Sequence, residues 1–404
     1  MNRDPGKESL GFSRGEHVNE TLRLRDVVDV LNDLYDPRWA DDWDAVGTAV
    51  GDLEAPVGRI MFAVDPVRTV VDEAIAWGAD LVVTHHPLLL KGVHGVATDS
   101  AKGSIVHALI QHGIALHTCH TNADSPVGGV SESMGLALGL TDLRPLEPDA
   151  SDPVDKWTVF VPPDDADAVV EAMTRAGAGA IGGYDSCTFT AAGIGSFRPL
   201  EGATPTVGTV GELGHVPEDR VEMVARRAAR TAILAALRSA HPYEEPAFDL
   251  VEMATTPSDR GSGRIGSLDT PLTLGELADA VVRALPGTHS VARVAGDPAR
   301  EIRTVALCGG SGDFLLGHAH AQGADAYVTS DLRHHPVSEA QELAGAPAIV
   351  DVPHWAAEWT WLPVAEQRLR EMLAARGATV ETRVSRIVTD PWTMHVPWPG
   401  DNAS

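Results

Sequence analysis

The spacing of apolar positions from Leu24 onward predicts an alternation of helices and strands. Leu24, Val27, Val28, Leu31 and Leu34 recur at helical spacing and share one face, which is the pattern of an amphipathic first helix. Beyond it, short β-rich runs alternate with helical stretches, the order of an α/β chain. Residues 59–64 (Arg-Ile-Met-Phe-Ala-Val) read as a strand, 67–77 as a helix and 78–84 (Gly-Ala-Asp-Leu-Val-Val-Thr) as a second strand. The same order returns in the last third, where 302–307 read as a strand, 314–322 as a helix and 323–329 (Gly-Ala-Asp-Ala-Tyr-Val-Thr) as a strand. The echo continues: 114–120 form an apolar strand ending in His120, with Asp124 four residues on, and 348–354 end in His354, with Glu358 four residues on. One longer loop within 88–103 absorbs the difference in spacing. Two coincidences in the same order predict a duplicated α/β unit, residues 21–150 and 266–404, forming one composite domain.

Residues 151–265 have a pattern of their own. Strand at 157–161, helix at 164–175, strands at 187–190 and 221–224, helix at 231–239 and strand at 247–253 give the order βαββαβ, a ferredoxin-like signature. Loop-like stretches at 147–153 and 255–263, rich in Pro, Ser, Asp and Gly, mark its ends. Residues 1–20 are polar, lack the apolar segment of a signal peptide, and read as a disordered tail.

Composition narrows the classes. With 404 residues, 44% hydrophobic and 22% charged, the chain reads as a soluble globular protein of two or three domains. A formal net charge of -26 repels phosphate backbones and anionic lipid, so neither nucleic acid nor a membrane surface is expected as a general partner. Three scattered cysteines, Cys119, Cys187 and Cys308, imply no disulfide framework, and no run of eighteen apolar residues occurs. A cytoplasmic protein is expected.

The chemistry concentrates at strand ends. His85 and His86 directly follow an apolar strand that Pro87 stops, and in α/β sheets ligands gather beyond the carboxyl ends of strands. His354 and Glu358 in His-Trp-Ala-Ala-Glu share one helical face at i, i+4. Imidazole with carboxylate suits zinc, iron or manganese. Three histidines and two carboxylates (His85, His86, Asp124, His354, Glu358) exceed the needs of one tetrahedral ion, and two divalent ions sharing a carboxylate would use them all. His334 and His335, in Arg-His-His-Pro, either face the site as proton-transfer groups or serve the structure. The amides of Gly309, Gly310 and Gly312, between strand and helix, either hold an anion together with Lys91 or form a simple turn. His241, Glu244 and Glu245 offer a weaker alternative within the insert.

These motifs carry a resemblance. Val-Thr-His-His-Pro-Leu at 83–88, His-Thr-Asn-Ala-Asp at 120–124 and His-Trp-Ala-Ala-Glu at 354–358 closely resemble the dinuclear-metal-centre hexameric family, whose members are often labelled GTP cyclohydrolase 1 type 2 homologues. The likeness runs from about Leu24 to Thr389. Trp-Asp-Ala-Val-Gly at 43–47 is similar to an early family motif, with Ala45 where asparagine is usual. The resemblance implies metal ligands at His85, His86, Asp124, His354 and a bridging Glu358. It also implies His120 as a second-layer or weak ligand, His335 flanking the metals as a catalytic group, a PII-like insert, and a homohexamer. Two functional readings follow: a metal-dependent hydrolase for a nucleotide or phosphoester-like small molecule, and a non-catalytic metal-binding, metal-carrying or regulatory protein.

Overall fold

The computed structural model describes residues 22–397, so the tail expected at 1–20 lies outside the described residues. The chain divides into two compact units, one of residues up to Pro148 together with those from Asp259, the other Asp149–Ser258. Together they hold three sheets, giving a mixed α/β fold. Among the described residues no helix is long and apolar enough to cross a membrane.

In the first unit, β1 (Gly47–Val50), β2 (Arg59–Ala63), β3 (Leu81–Thr84), β4 (Ala115–Thr118) and β15 (Glu381–Val384) form a sheet in the order β1-β4-β3-β2-β15. Strands β2, β3 and β4 run parallel, and β1 lies antiparallel on β4. The second sheet contains β5 (Thr141–Ala150), β10 (Pro257–Thr273), β11 (Arg293–Ala295), β12 (Glu301–Ser311), β13 (Ala326–Ser330) and β14 (Ala348–Val352), in the order β11-β14-β13-β12-β10-β5. Here β12, β13 and β14 run parallel and β11 lies antiparallel on β14. The central strands are apolar on both faces, as parallel strands covered by helices require. Ile60, Phe62, Val83, Val305, Val328 and Val350 enter one core with Trp361, Leu362 and Leu369 of the helix Trp361–Ala375. Met61, Val82 and Leu116 pack with the helices Arg68–Trp77 and Ala101–Gln111, and Ala306, Tyr327 and Ile349 form a third cluster. The first helix, Leu24–Leu34, buries Leu24, Val27, Val30, Leu31 and Leu34; Val30 takes a core place that the spacing gave to Val28.

The second unit has β6 (Val154–Val161), β7 (Thr188–Phe197), β8 (Gly214–Arg226) and β9 (Phe248–Glu252) in the antiparallel order β7-β8-β6-β9. The helices Ala166–Arg175 and Arg230–Ala240 share a core with Trp157, Val159, Val221 and Met223. The fully buried Asp155 is held by Arg227 and Arg230.

Two expectations need correction. The stretches at 147–153 and 255–263, read as loops from their Pro, Gly and Ser content, are largely strand: β5 and β10 are hydrogen-bonded neighbours in the second sheet. Pairing between segments distant in sequence supplies the order that local composition does not. Likewise 309–311 continue β12 instead of forming a turn.

Candidate metal centre

Strand register alone brings the first group together. Ala63 pairs with Thr84, and Thr84 with Thr118. Two residues beyond the paired ends, Asp65 therefore faces His86, and its Oδ1 lies 2.7 Å from His86 Nδ1. One residue beyond, His85 faces Cys119, whose carbonyl oxygen is 3.0 Å from His85 Nδ1. His120 Nδ1 meets Asp44 Oδ1 at 2.8 Å, and the second Asp44 oxygen accepts from the backbone and hydroxyl of Thr121. The second sheet repeats the device. Ser330 pairs with Val352, so Asp331 and His354 emerge side by side, with Oδ2 and Nδ1 2.7 Å apart.

Each of these four imidazoles has Nδ1 against an oxygen that only accepts: a carboxylate or a carbonyl. Nδ1 must therefore carry the proton, and in the neutral ring Nε2 presents a lone pair. Those lone pairs converge. His86 Nε2 and His354 Nε2 are 3.3 Å apart, an arrangement that is repulsive unless a proton or cation lies between them. Glu358 stands at the meeting point, with Oε1 2.8 Å from His354 Nε2 and 3.4 Å from His85 Nε2, and Oε2 3.1 Å from His86 Nε2. Asp124 Oδ1 lies 3.7 Å from His85 Nε2.

The donor set fits divalent cations. Asp124 Oδ1 is a buried carboxylate oxygen without a hydrogen-bond partner, although such atoms are normally satisfied, and Glu358 Oε2 faces only the inward Nε2 of His86. Two overlapping groups have their potential ligand atoms within 4.8 Å of one another: His85, His86 and His120, and His86, His354 and Glu358. Oriented imidazoles with a carboxylate or carbonyl behind them are the usual surroundings of such ions. Electrostatics agree. Burial by itself lowers a histidine pKa, and it takes His117, three residues before His120 on the same strand edge, down to about 4. The same burial acts on His86 and His354, yet the Glu358 carboxylate, with Asp65 and Asp331 respectively, raises them to about 11 and about 10. Burial likewise opposes ionisation of Glu358, but His86, His85 and His354 hold it well below the ordinary carboxylate range. The centre strongly favours positive charge.

Glu358 needs space, and Gly310 provides it. With φ at +75°, Gly310 passes so close that a Cβ there would lie 2.6 Å from Glu358 Oε1. The neighbouring Gly309 amide already donates to Ser131 Oγ, and the Gly312 carbonyl accepts from the Tyr327 hydroxyl. The glycine run thus serves close packing, and Lys91 is exposed. His335 is exposed beside His334 on the helix His334–Gln341 and makes no hydrogen bond or ion pair to the cluster. His241 is buried in the second unit, its Nε2 against the Phe160 carbonyl. Asp65 and Asp331 escaped the sequence reading. Their signal was available: each follows a parallel strand at nearly the same offset as a histidine on the adjacent strand.

Beyond His86 and His354 the centre opens on a cavity of about 720 Å³, lined also by Asp65, Asp331, Arg293, Trp355 and Trp392.

Known proteins share this whole arrangement of the chain. A Mycobacterium tuberculosis protein named GTP cyclohydrolase 1 type 2 homolog is 46% identical over 376 residues, 93% of this chain and 97% of that protein. A Bacillus subtilis protein of the same name is 35% identical over 375 residues, 93% of this chain and 99% of that one. Among solved structures, a Bacillus cereus protein related to NIF3 superposes with a TM-score of 0.78 at 33% identity, covering 93% of this chain and 100% of that chain. The model of the family Duf34/NIF3 (NGG1p interacting factor 3) matches residues 22–391, and the chain belongs to that family.

Proposed function

We propose that this chain is a metal-dependent hydrolase with a dinuclear centre. His85, His86, Asp124, His354 and Glu358 would hold the ions, with His120 a further donor and Glu358 the carboxylate they would share. The substrate is a nucleotide or phosphoester-like small molecule. The observation that carries the reading is the open side of the cluster: His86 and His354 line the cavity of about 720 Å³. A centre that only stabilises a fold is closed by protein donors, whereas a catalytic one leaves room for water and substrate. The volume is that of a small-molecule site, typically about 300–1,000 Å³.

When bound, two divalent ions, zinc, iron or manganese, supply Lewis acidity toward a phosphoryl or carbonyl oxygen and lower the pKa of water. The protein's own contribution is orientation. Asp65, Asp331, Asp44 and the Cys119 carbonyl hold four imidazoles with Nε2 inward, already oriented for a cation. Trp355 and Trp392 give the cavity an apolar wall against which a flat group packs while water is displaced. The matching strand orders support an internal duplication, and the βαββαβ order of the second unit supports a PII-like insert. The family resemblance supports a homohexamer.

The test is elemental analysis with a substrate screen. Close to two metals per chain are expected. Nucleotides, phosphoesters and amides are screened with zinc, manganese or iron, with GTP included because of the name its relatives carry. Failure of every metal to give turnover above that of a Glu358→Ala control overturns the hydrolase reading in favour of metal carriage or regulation.

A further inference from the structure

A second cavity, of about 380 Å³, adjoins the first and shares Arg293, Leu332 and Asp351 with it. We propose that Arg293, Arg333 and His334, which line this second chamber, form a phosphate-binding subsite. It holds the anionic end of a small molecule whose reacting group lies at the metal centre. The inference builds on the hydrolase reading by placing the substrate's phosphate away from the ions.

The charge distribution is the first argument. The chain carries 31 Lys and Arg against 57 Asp and Glu, so two arginines and a histidine lining one small chamber depart from its general character. Away from the metal centre, the first cavity adds Asp331 and Asp390 to the Arg293 and Asp351 that both chambers share, and these carboxylates disfavour an anionic tail there. A substrate with one anionic end is therefore oriented, tail toward Arg293.

The arginines are also held ready. Arg293 Nε donates to Asp351 Oδ2 at 2.7 Å and its Nη2 to the Leu332 carbonyl at 2.9 Å. The other Asp351 oxygen accepts from the Leu332 amide at 3.0 Å. Asp351 is thus occupied from behind, and Arg293 Nη1 has no protein acceptor among the described residues. Arg333 spends Nη2 on Asp313, which leaves its remaining N–H groups. A guanidinium has five donors in a fork that matches phosphate oxygens, so one carboxylate does not saturate it. Asp351 and Asp313 are the anions facing the chamber's cations, each engaged one-to-one. Arg333 is also the N-cap of the helix His334–Gln341, so the chamber lies at the positive end of that helix's dipole. Val294, Val337 and Ile349 line the rest of the chamber, leaving the arginines as its cationic donors.

The experiment needs no turnover. Inorganic pyrophosphate is titrated calorimetrically into the full-length Glu358→Ala protein, in which metals cannot take up the anion, and into chelator-treated wild-type protein as a guard against misfolding. One site per chain is expected in both. Arg333→Glu with His334→Ala, both at exposed positions, should weaken it at least tenfold while leaving metal content in the wild-type background unchanged. No binding in either parent protein, or equal affinity in the double variant, overturns the subsite. Because the readout is binding, loss of the hydrolase reading with pyrophosphate binding retained is a distinct result.

Discussion

The two parallel strand edges of the first unit invite comparison, because each builds half of the centre from the same frame. The edge of β2, β3 and β4 contributes Asp65, His85, His86, His120 and Asp124; the edge of β12, β13 and β14 contributes Gly310, Asp331, His354 and Glu358. Each pairs an aspartate with a histidine from the adjacent strand at 2.7 Å. They differ in what lies between. The first edge is rich in imidazoles, whereas the second places one carboxylate, Glu358, within 3.4 Å of three histidines from both edges. A shared frame thus sets orientation, and a single carboxylate joins the halves. That asymmetry makes the following outcomes unequal.

The largest effect should come from Glu358→Ala. With Glu358 gone, His85, His86 and His354 lose the one carboxylate they share, and elemental analysis should find nearly all metal lost. His120→Ala should keep most of its metal, and equal losses in the two variants would break the comparison. Next is Arg264, a fully buried arginine on β10, a strand that the first sheet lacks. Its guanidinium donates to the carbonyls of Ser125, Pro126, Gly261 and Gly263 and pairs with Glu132. It thereby fixes the chain directly after Asp124. Arg264→Leu leaves those groups unsatisfied and should cost on the order of 3–5 kcal/mol, read from denaturant unfolding.

Smaller effects sharpen the shared frame. Asp65→Asn and Asp331→Asn each remove the charge behind one imidazole, and each should weaken metal binding roughly 10–100-fold in competition titrations. A large loss for one and none for the other would show that the two edges are not equivalent supports. Gly310→Ala tests the clearance for Glu358. A side chain in the left-handed region costs roughly 1–2 kcal/mol, and the added methyl should push the carboxylate away, lowering metal affinity in a folded protein. The smallest change is expected on replacing 151–256 by a short Gly/Ser linker. The Ser151 amide already meets the Thr256 carbonyl at 2.7 Å, so the excised ends are adjacent, and metal content should stay nearly constant.

By itself, the sequence determined the alternation of strands and helices, the family, and the residue types of the centre. Those features are local: apolar spacing, a histidine pair after a strand, and an i, i+4 pair opening a helix. The supporting layer needed the tertiary structure. Asp65 is 21 residues from His86, and Asp331 is 23 from His354, and only the pairing of parallel strands brings them into contact. The need for glycine at 310 arises because the carboxylate of Glu358 packs on that backbone. The two linkers became strands for the same reason, since β5 and β10 are partners that no local composition can specify. The family resemblance implied a catalytic place for His335 near the centre, and the fold puts it on an exposed helical surface. Periodicity reports which side of an element is buried, but not what packs against it, and at this centre the packing decides where each lone pair points.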